Sequence, residues 1–269
     1  MPFTSILCAI DSSPLAPRVL KHAAGLAGAC GARLTILTVV TSGDPHQNDA
    51  KLAALLREVV PSGAPYLPNL RTQAVRVELG KPADAIVDMA RDGTDLIVAG
   101  THSKSGLSRW LLGSTSTAIL EYATCPTLLV PPGQLEIVAL GPQSASLRPG
   151  AVLAAVDLRE HNARQLSLAS RLAELSGQPL ALMTVADPGQ AEGDAAAALR
   201  ARGADLTPVP ASKVLVRHGS VADEIDHAAV AEGAGLVVMG LRGRGDGTPG
   251  LIATAVLKAK DAIVLAVPA

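Results

Sequence analysis

The sequence is very poor in aromatic residues. Among its 269 residues the aromatic ones are Phe3, Tyr66, Trp110 and Tyr122. This scarcity argues against a stacking platform for single-stranded nucleic acid and against an aromatic sugar-binding face. The hydrophobic residues, 48% of the chain, are nevertheless enough to build a sizeable core. That core must consist mainly of Ala, Val, Leu and Ile.

An excess of charge of one sign is also missing, as are long apolar runs. The 23 basic residues are balanced by 24 acidic ones, so no overall field favours a polyanion and we expect no nucleic-acid partner. No apolar run approaches the roughly 18 residues that span a bilayer. The N-terminal segment MPFTSILCAID has neither the basic region nor the cleavage signature of a signal peptide. We therefore expect a soluble, cytoplasmic protein without a membrane partner.

Cysteine and the common catalytic motifs are scarce. The sequence has three cysteines, an odd number, at Cys8, Cys30 and Cys125. They are not spaced as metal ligands are, so we expect reduced, buried thiols and no metal site. The sequence has no H-E-x-x-H motif, no G-x-S-x-G elbow and no lysine of the Walker A type. No carboxylates are paired for acid–base work, so we predict no catalytic residue.

The two halves of the chain resemble each other. The segment LTILTVVTSGDP, which begins at Leu34, has a counterpart in LALMTVADPG, which begins at Leu180, and the same offset carries Asp11 onto Asp157. Two further segments match in the same order: VRVELGKPADAIV with VLVRHGSVADEID, and LIVAGTHSKSG with LVVMGLRGRG. Self-similarity of this kind indicates a duplicated module. We predict a first repeat at residues 1–134, a linker at 135–150 and a second repeat at 151–269.

Within each repeat, short apolar runs alternate with helical patterns. The strands predicted in the first repeat are Ser5–Ile10, Leu34–Val40, Thr72–Leu79, Asp95–Gly100 and Thr127–Val130. Continuous apolar runs such as ILCAI and LIVAG are typical of parallel strands that are buried on both faces. The pattern predicts an α/β fold with two doubly wound, Rossmann-like modules, each with a five-stranded parallel sheet.

Residue types that favour helix N-termini predict where the helices of the first repeat begin. Ser12 or Ser13 can cap the first helix, and Asn48 or Asp49 the second. We expect Pro82 to open the third helix and Ser114 the fourth. We interpret the linker as irregular, with one short extended piece at residues 135–140.

The loop after the fourth strand carries the strongest functional signal. It reads GTHSKSGLSRWLLGSTS, has no acidic residue and ends in three hydroxyl residues at a predicted helix start. Unpaired N–H groups and the partial positive charge of a helix start suit phosphate oxygens. The loop is therefore of the type that binds anions, but an ordinary loop that merely caps a helix fits the spacing equally well.

Several ordered segments resemble the universal stress protein family. They are a strand that ends before Asp11 and Ser13, the segments LTILTVV and LGKPADAIVDMARDGTDLIVAG, the pattern G-x-x-S-x9-G-S, and ATCPTLLVP. Because the similarity covers nearly all of both halves, the chain resembles a universal stress protein of the tandem type. Family members with the pattern G-x-x-G-x9-G-[ST] bind adenine nucleotides, chiefly ATP.

The resemblance implies a nucleotide site in the first repeat. The implied residues are Ile10, Asp11, Val39, Gly100, His102, Ser103, Gly113, Ser114, Thr115 and Ser116. Asp11 and Val39 would face the adenosine, and the loop and hydroxyl residues the ribose and phosphates. The implied ligand is ATP, or AMP, ADP or cyclic AMP, with Mg²⁺ as a candidate companion. Ser103 stands where the family has its second glycine.

The second repeat departs further from the family pattern. Its counterpart residues are Asp157, Val185, Gly240, Arg242 and Gly243. The glycine–hydroxyl pair is lost, and Arg159 replaces the serine after the first strand. We expect this repeat to bind nucleotide weakly or not at all, the alternative being a rearranged site in which Arg242 holds phosphate together with Arg244.

The resemblance also implies a role and an assembly. The role is that of a stress-response sensor or regulator, acting through conformation or partner binding, with at most slow ATP hydrolysis. The last strands Thr127–Val130 and Ile263–Val267 would pair to form an internal pseudo-dimer, and two chains would form a homodimer. Two alternatives stay open: a nucleotide-free interaction scaffold, and an enzyme of the related nucleotide hydrolase or nucleotidyl-transferase type, whose S-G-G-x-D-S and H-I-G-H motifs are missing here.

Overall fold

The chain forms two α/β units. The computed structural model describes residues 1–40, 45–60, 65, 67, 70–76, 81–101, 113–241 and 262–268. The first unit comprises mainly Phe3–Pro132 and Val138–Leu147, and the second mainly Gly133–Ile137 and Arg148–Ala269. Nucleotide binding by the first repeat and a degenerate site in the second stay predictions.

The first unit is a parallel sheet with helices between its strands. Its strands are β1 (Ser5–Ile10), β2 (Arg33–Val40), β3 (Leu70–Arg76), β4 (Leu96–Gly100) and β5 (Thr127–Val130), and its helices are α1 (Ala16–Cys30), α2 (Pro45–Val59), α3 (Pro82–Ala90) and α4 (Ser114–Tyr122). The five strands follow the order β5-β4-β1-β2-β3 and pair in parallel. Since β1 connects to β2 on one side and lies beside β4 on the other, the strand order reverses between β1 and β4.

The first unit also includes a short hairpin formed by β6 (Val138–Leu140) and β7 (Ala145–Leu147). The hairpin lies in the segment that we interpreted as a linker, and its two strands pair antiparallel. Both strands pack against α1. A β-carbon placed on Gly25 of α1 would lie 2.5 Å from the β-carbon of Val138, so only glycine allows this close approach.

The second unit repeats the architecture. Its strands are β8 (Val152–Ala155), β9 (Leu180–Val185), β10 (Lys213–Arg217), β11 (Leu236–Gly240) and β12 (Ile263–Val267), and its described helices are α5 (Ala163–Ser176), α6 (Glu192–Ala204) and α7 (Val221–Glu232). The strand order β12-β11-β8-β9-β10 matches that of the first unit, strand for strand, with parallel pairing. The predicted α/β class, with a parallel sheet in each repeat, is confirmed.

The sheet cores explain why the strands read as unbroken apolar runs. Every residue of β1 and β5 is buried, and Ile6, Leu96 and Ile97 have no exposed surface. Helices cover both faces of such a sheet, so alternation between polar and apolar residues is not needed.

Two of the predicted helix starts are confirmed and two are wrong. α3 begins at Pro82 and α4 at Ser114, as expected. α1 begins only at Ala16, because the backbone N–H of Ser13 donates to Asp11 Oδ1 and holds the preceding residues in a turn. α2 begins at Pro45, ahead of both predicted caps, since proline suits the first turn of a helix.

Candidate functional site

The carboxyl ends of three neighbouring strands meet at one edge of the first sheet. In the register of the sheet, Ala9 lies beside Ala99, and Ile10 beside Thr38. Asp11 therefore follows β1 at the level where β4 ends and where β2 carries Val39. In open α/β sheets a ligand binds outside the carboxyl ends of the strands, where the strand order reverses. Here that point lies between β1 and β4.

The N-terminus of α4 is attached to this edge. The backbone N–H of Gly113 donates to the carbonyl of Thr101, directly after β4, at 2.8 Å. Gly113 occupies the N-cap position in an extended conformation, and none of the described side chains caps the helix. The first bond within the helix runs from Thr117 N–H to Gly113 O at 2.9 Å. The N–H groups of the residues between them point out of the helix start, where an anion finds its donors.

The hydroxyl groups of α4 have different hydrogen-bond partners. The buried Ser116 donates its hydroxyl to the carbonyl of Gly100 at 2.7 Å, and Thr117 donates to Gly113 O at 3.1 Å. What Ser116 offers a ligand is therefore its backbone N–H. Ser114 is exposed, and the first turn contains no acidic residue. Sequence reasoning placed Ser116 among the phosphate contacts and missed its bond to β4.

Asp11 presents a carboxylate at the end of β1. Its Oδ1 accepts the backbone N–H of Ser13 at 2.9 Å, which fixes the side chain in a local turn while the residue stays exposed. Ile10 before it is buried, and Val39 on β2 is half-buried. A hydrogen-bond acceptor thus stands next to an apolar surface, on the same edge as the start of α4.

Some of the predicted site residues fall outside the described ranges. They are His102 and Ser103 in the first unit and Arg242 and Gly243 in the second. Their assignment to the site stays a prediction.

The second unit brings Asp157, Val185 and Gly240 to the corresponding edge. In its register Ala155 lies beside both Met183 and Met239, so these ends are level as in the first unit.

The carboxylate of Asp157 is occupied by a neighbouring arginine. Arg159 donates from Nε to Oδ1 and from Nη2 to Oδ2, both at 2.9 Å, and its backbone N–H reaches Oδ1 at 3.0 Å. Its Nη1 lies 3.4 Å from Asp187 Oδ1, just beyond β9. Hydrogen bonding to Asp157 raises the pKa of Arg159 above its already high value.

A buried amide distinguishes the second unit further. Gln165 of α5 donates from Nε2 to the carbonyls of Ala155 and Val238, at 2.7 and 3.0 Å. Its Oε1 faces Gly240 and has no hydrogen-bond partner in the part of the chain that the structure describes. The matched position in the first unit is Val19, which lies against Gly100. The signal in the sequence was a polar residue at a position that is apolar in the other repeat.

The described part of the chain offers neither a cluster of metal ligands nor a membrane-spanning helix. Across the described ranges, no group of three or more His, Cys, Asp or Glu side chains is placed to hold a metal ion. Among the described helices, none is long and apolar enough to cross a membrane.

The first unit is thus a doubly wound α/β module, in which a helix start of the kind that binds anions lies where the strand order reverses. The family model for universal stress proteins matches residues 2–131. Universal stress protein YxiE of Bacillus subtilis is 33% identical over 146 residues, which cover 48% of this chain and 99% of that protein. A universal stress protein of Thermus aquaticus is 34% identical over 135 residues, covering 48% and 98%. The chain belongs to the universal stress protein family.

Solved structures match the fold of the whole chain. A Pseudomonas aeruginosa UCBPP-PA14 protein has a TM-score of 0.73 and 22% identity, with 99% of this chain and 93% of that chain covered. A universal stress protein from Archaeoglobus fulgidus has a TM-score of 0.68 and 18% identity, with 98% of both chains covered. At these identities the similarity shows the fold alone.

Proposed function

We propose that the first unit binds ATP or a related adenine nucleotide and that the protein acts as a stress-response sensor or regulator. The observation that carries the proposal is the start of α4, which no side chain of the described residues caps and which is bonded to Thr101 at the edge that also carries Asp11. A helix start that lacks a cap at a strand-order reversal supports a phosphate-binding role.

Each part of the nucleotide has a suitable partner in the proposed site. Backbone N–H groups from Ser114 to Ser116 and the Ser114 hydroxyl supply donors for phosphate oxygens. The Asp11 carboxylate accepts ribose hydroxyl groups, and Val39 gives an apolar wall to the base. Ser103 and His102 join the site by resemblance to the family pattern. Mg²⁺, if bound, would be held mainly by the phosphates themselves, as is usual for this ion.

The proposed site binds and orients a nucleotide. Its groups are N–H donors, hydroxyls and one carboxylate that already accepts the Ser13 N–H. We propose that the bound nucleotide changes conformation or partner binding, with at most slow hydrolysis. We further propose a cytoplasmic homodimer, which sedimentation would reveal as twice the chain mass of 27.3 kDa.

Calorimetric titration of ATP into the full chain tests the nucleotide proposal. We expect Asp11→Ala and Gly113→Val to weaken ATP binding by about tenfold or more, because a charge-assisted hydrogen bond and the approach to the helix start are lost. Asp92→Ala, which removes an exposed acid after α3, is the matched control and should leave the affinity unchanged. Equal ATP affinity in all four proteins would contradict the site.

A nucleotide-free interaction scaffold is the second candidate. The internal use of the Ser116 hydroxyl on Gly100 favours it, because this bond anchors α4 without any ligand. Absence of heat from ATP, AMP and cyclic AMP at millimolar concentration would support the scaffold over the nucleotide sensor.

A further inference from the structure

We propose that Arg159 occupies, in the second unit, the place that a nucleoside would take, and that it thereby restricts nucleotide binding to the first unit. This inference rests on the proposed function of the first unit. It follows from a comparison that the chain itself provides, because both units form the same turn after their first strand. Ser13 N–H donates to Asp11 Oδ1 at 2.9 Å, and Arg159 N–H donates to Asp157 Oδ1 at 3.0 Å.

The two turns differ in the side chain two positions after the aspartate, which is Ser13 in the first unit and Arg159 in the second. Serine is too short to reach back along the carboxylate, whereas the Arg159 guanidinium engages both of its oxygens at 2.9 Å. With the backbone N–H, three of the roughly four acceptor positions of the carboxylate are filled. The hydroxyl groups of a ribose would need the same positions. Asp157 therefore cannot accept both ribose hydroxyl groups until Arg159 leaves.

Arg159 also spans the edge on which the nucleoside would lie. Its Nη1 reaches Asp187, two residues beyond the end of β9, at 3.4 Å. In the first unit the corresponding strand ends carry Asp11 and Val39, the residues proposed to face adenosine. The guanidinium thus lies across the end of β8 toward the end of β9. It thus places a cation in the space proposed for the nucleoside and also uses the acceptor positions of Asp157.

The exposure of the pair sets the size of the effect. The Arg159 and Asp157 side chains are 57% and 27% exposed. A single exposed ion pair changes a binding constant by only about two- to fivefold. Since the guanidinium also fills space that the ligand needs, we expect its removal to strengthen nucleoside binding by about fivefold or more. Adenosine is the suitable probe, because the second unit lacks the glycine–hydroxyl pair of the phosphate loop.

The first experiment removes the arginine. In the full chain, Arg159→Ser should add a second adenosine site, detected by equilibrium dialysis as a rise from one to two ligands per chain. Arg171→Ser, at an exposed arginine further along α5, is the matched control and should bind as the unaltered protein does. Two equal sites in the unaltered protein, or a single site in Arg159→Ser, would count against the inference.

The reciprocal experiment transfers the arginine to the first unit. Ser13→Arg should weaken ATP binding by about fivefold or more, while Ser13→Met, of similar length but without donors, should have a smaller effect. Equal affinities in the two variants would show that the hydrogen bonds to Asp11 do not matter.

A readout without nucleotide separates this inference from the proposed function. In ¹H–¹⁵N spectra the Nε–H of Arg159 should exchange slowly with water, and Asp157→Asn should make it exchange faster. If the unaltered protein binds no nucleotide at all, the proposed function fails, but slow exchange would still support occupation of Asp157 by Arg159. Fast exchange in the unaltered protein would overturn the inference whatever ATP does.

Discussion

At the scale of single residues, Gly25 decides whether the hairpin can pack on α1. A β-carbon there would lie 2.5 to 2.9 Å from the Cβ, Cγ1 and Cγ2 atoms of Val138. Because the nearest atom is the branching carbon, rotation of the valine cannot remove the overlap. We expect Gly25→Ala to lower the free energy of unfolding by about 1–3 kcal/mol, the usual cost of overpacking.

Urea denaturation measures this change, and Gly193→Ala supplies the control. Gly193 lies in the first turn of α6, and a β-carbon there would meet no atom of the described residues within 4 Å. Since alanine favours a helix over glycine, this variant should be neutral or more stable by up to about 1 kcal/mol. Similar losses in the two variants would contradict the packing argument.

Asp95 supports a second residue-scale prediction. Its carboxylate accepts the N–H and the hydroxyl of Thr4, at 2.8 and 2.7 Å, and the N–H of Ser5 at 3.0 Å. Asp95→Ala removes the acceptor for all three donors and should cost about 1–3 kcal/mol of stability. Asp92→Ala, three residues earlier and exposed, should stay within about 0.5 kcal/mol in the same denaturation experiment. A loss no larger than that of the control would disprove the role of the Asp95 hydrogen bonds.

The position of Asp11 was predictable from sequence, whereas the state of Asp157 was not. An aspartate directly after an apolar strand run must lie at the carboxyl edge, and the repeat places both residues there. The two hydrogen bonds from the Arg159 guanidinium to the Asp157 carboxylate depend on side-chain rotamers, which the spacing of residues in the sequence does not determine. For the same reason the amide of Gln165 could not be assigned to its two backbone carbonyls.

At the scale of elements, α4 is held by a bond distinct from those proposed for its ligand. Ser116→Ala would leave the half-buried Gly100 carbonyl without its side-chain donor at 2.7 Å, and we expect a loss of stability of about 1–2 kcal/mol. Ser114→Ala, at the exposed first position of the helix, should instead weaken ATP binding and leave stability within about 0.5 kcal/mol. Chemical denaturation and calorimetry on both variants distinguish the two roles. A common effect on stability and binding would contradict the division.

Helix starts were predictable where the local signal had no competitor. Pro82 and Ser114 follow extended residues and open their helices as expected. After β1, the carboxylate of Asp11 takes the N–H of Ser13 first, so the helix begins later. The hairpin could not be predicted beyond one extended piece, because the pairing of Val138 with Leu147 and the contact with α1 are tertiary.

At the scale of the whole molecule, buried thiols make stability depend on pH. Burial raises the pKa of the Cys30 thiol from 9.0 to about 11, and it also raises the pKa of Cys8. Above pH 9 the unfolded chain releases thiol protons that the native protein retains, so the unfolded state binds fewer protons. Stability should therefore fall as pH rises from about 9 to 11, by up to about 1.4 kcal/mol per pH unit for each thiol.

Denaturation at several pH values tests this dependence. Other groups also titrate in this range, so the informative quantity is the slope of stability against pH in Cys8→Ala and Cys30→Ala relative to the unaltered protein. Each variant should have a shallower slope, even where its absolute stability is lower because a cavity is left. Identical slopes would show that the thiols contribute nothing.

The fold as a whole was largely predictable, because one pattern occurs twice and the crossover rules for parallel strands leave few topologies. Both units have the same strand order, although their sequences diverge at Val19 and Gln165. The exact strand order, and with it the location of the switch point, depends on tertiary strand pairing that the sequence pattern does not specify. Pairing between the last strands of the two repeats stays a prediction.

The hairpin also determines how the molecule can be dissected. Along the chain, residues of the second unit at Gly133–Ile137 precede the Val138–Leu147 segment, which packs with the first. The two folds are thus interleaved in sequence, and no single cleavage separates them intact. A fragment that stops at Pro132 would leave the face of α1 around Gly25 exposed. A fragment that continues to Leu147 keeps the hairpin that packs on this face.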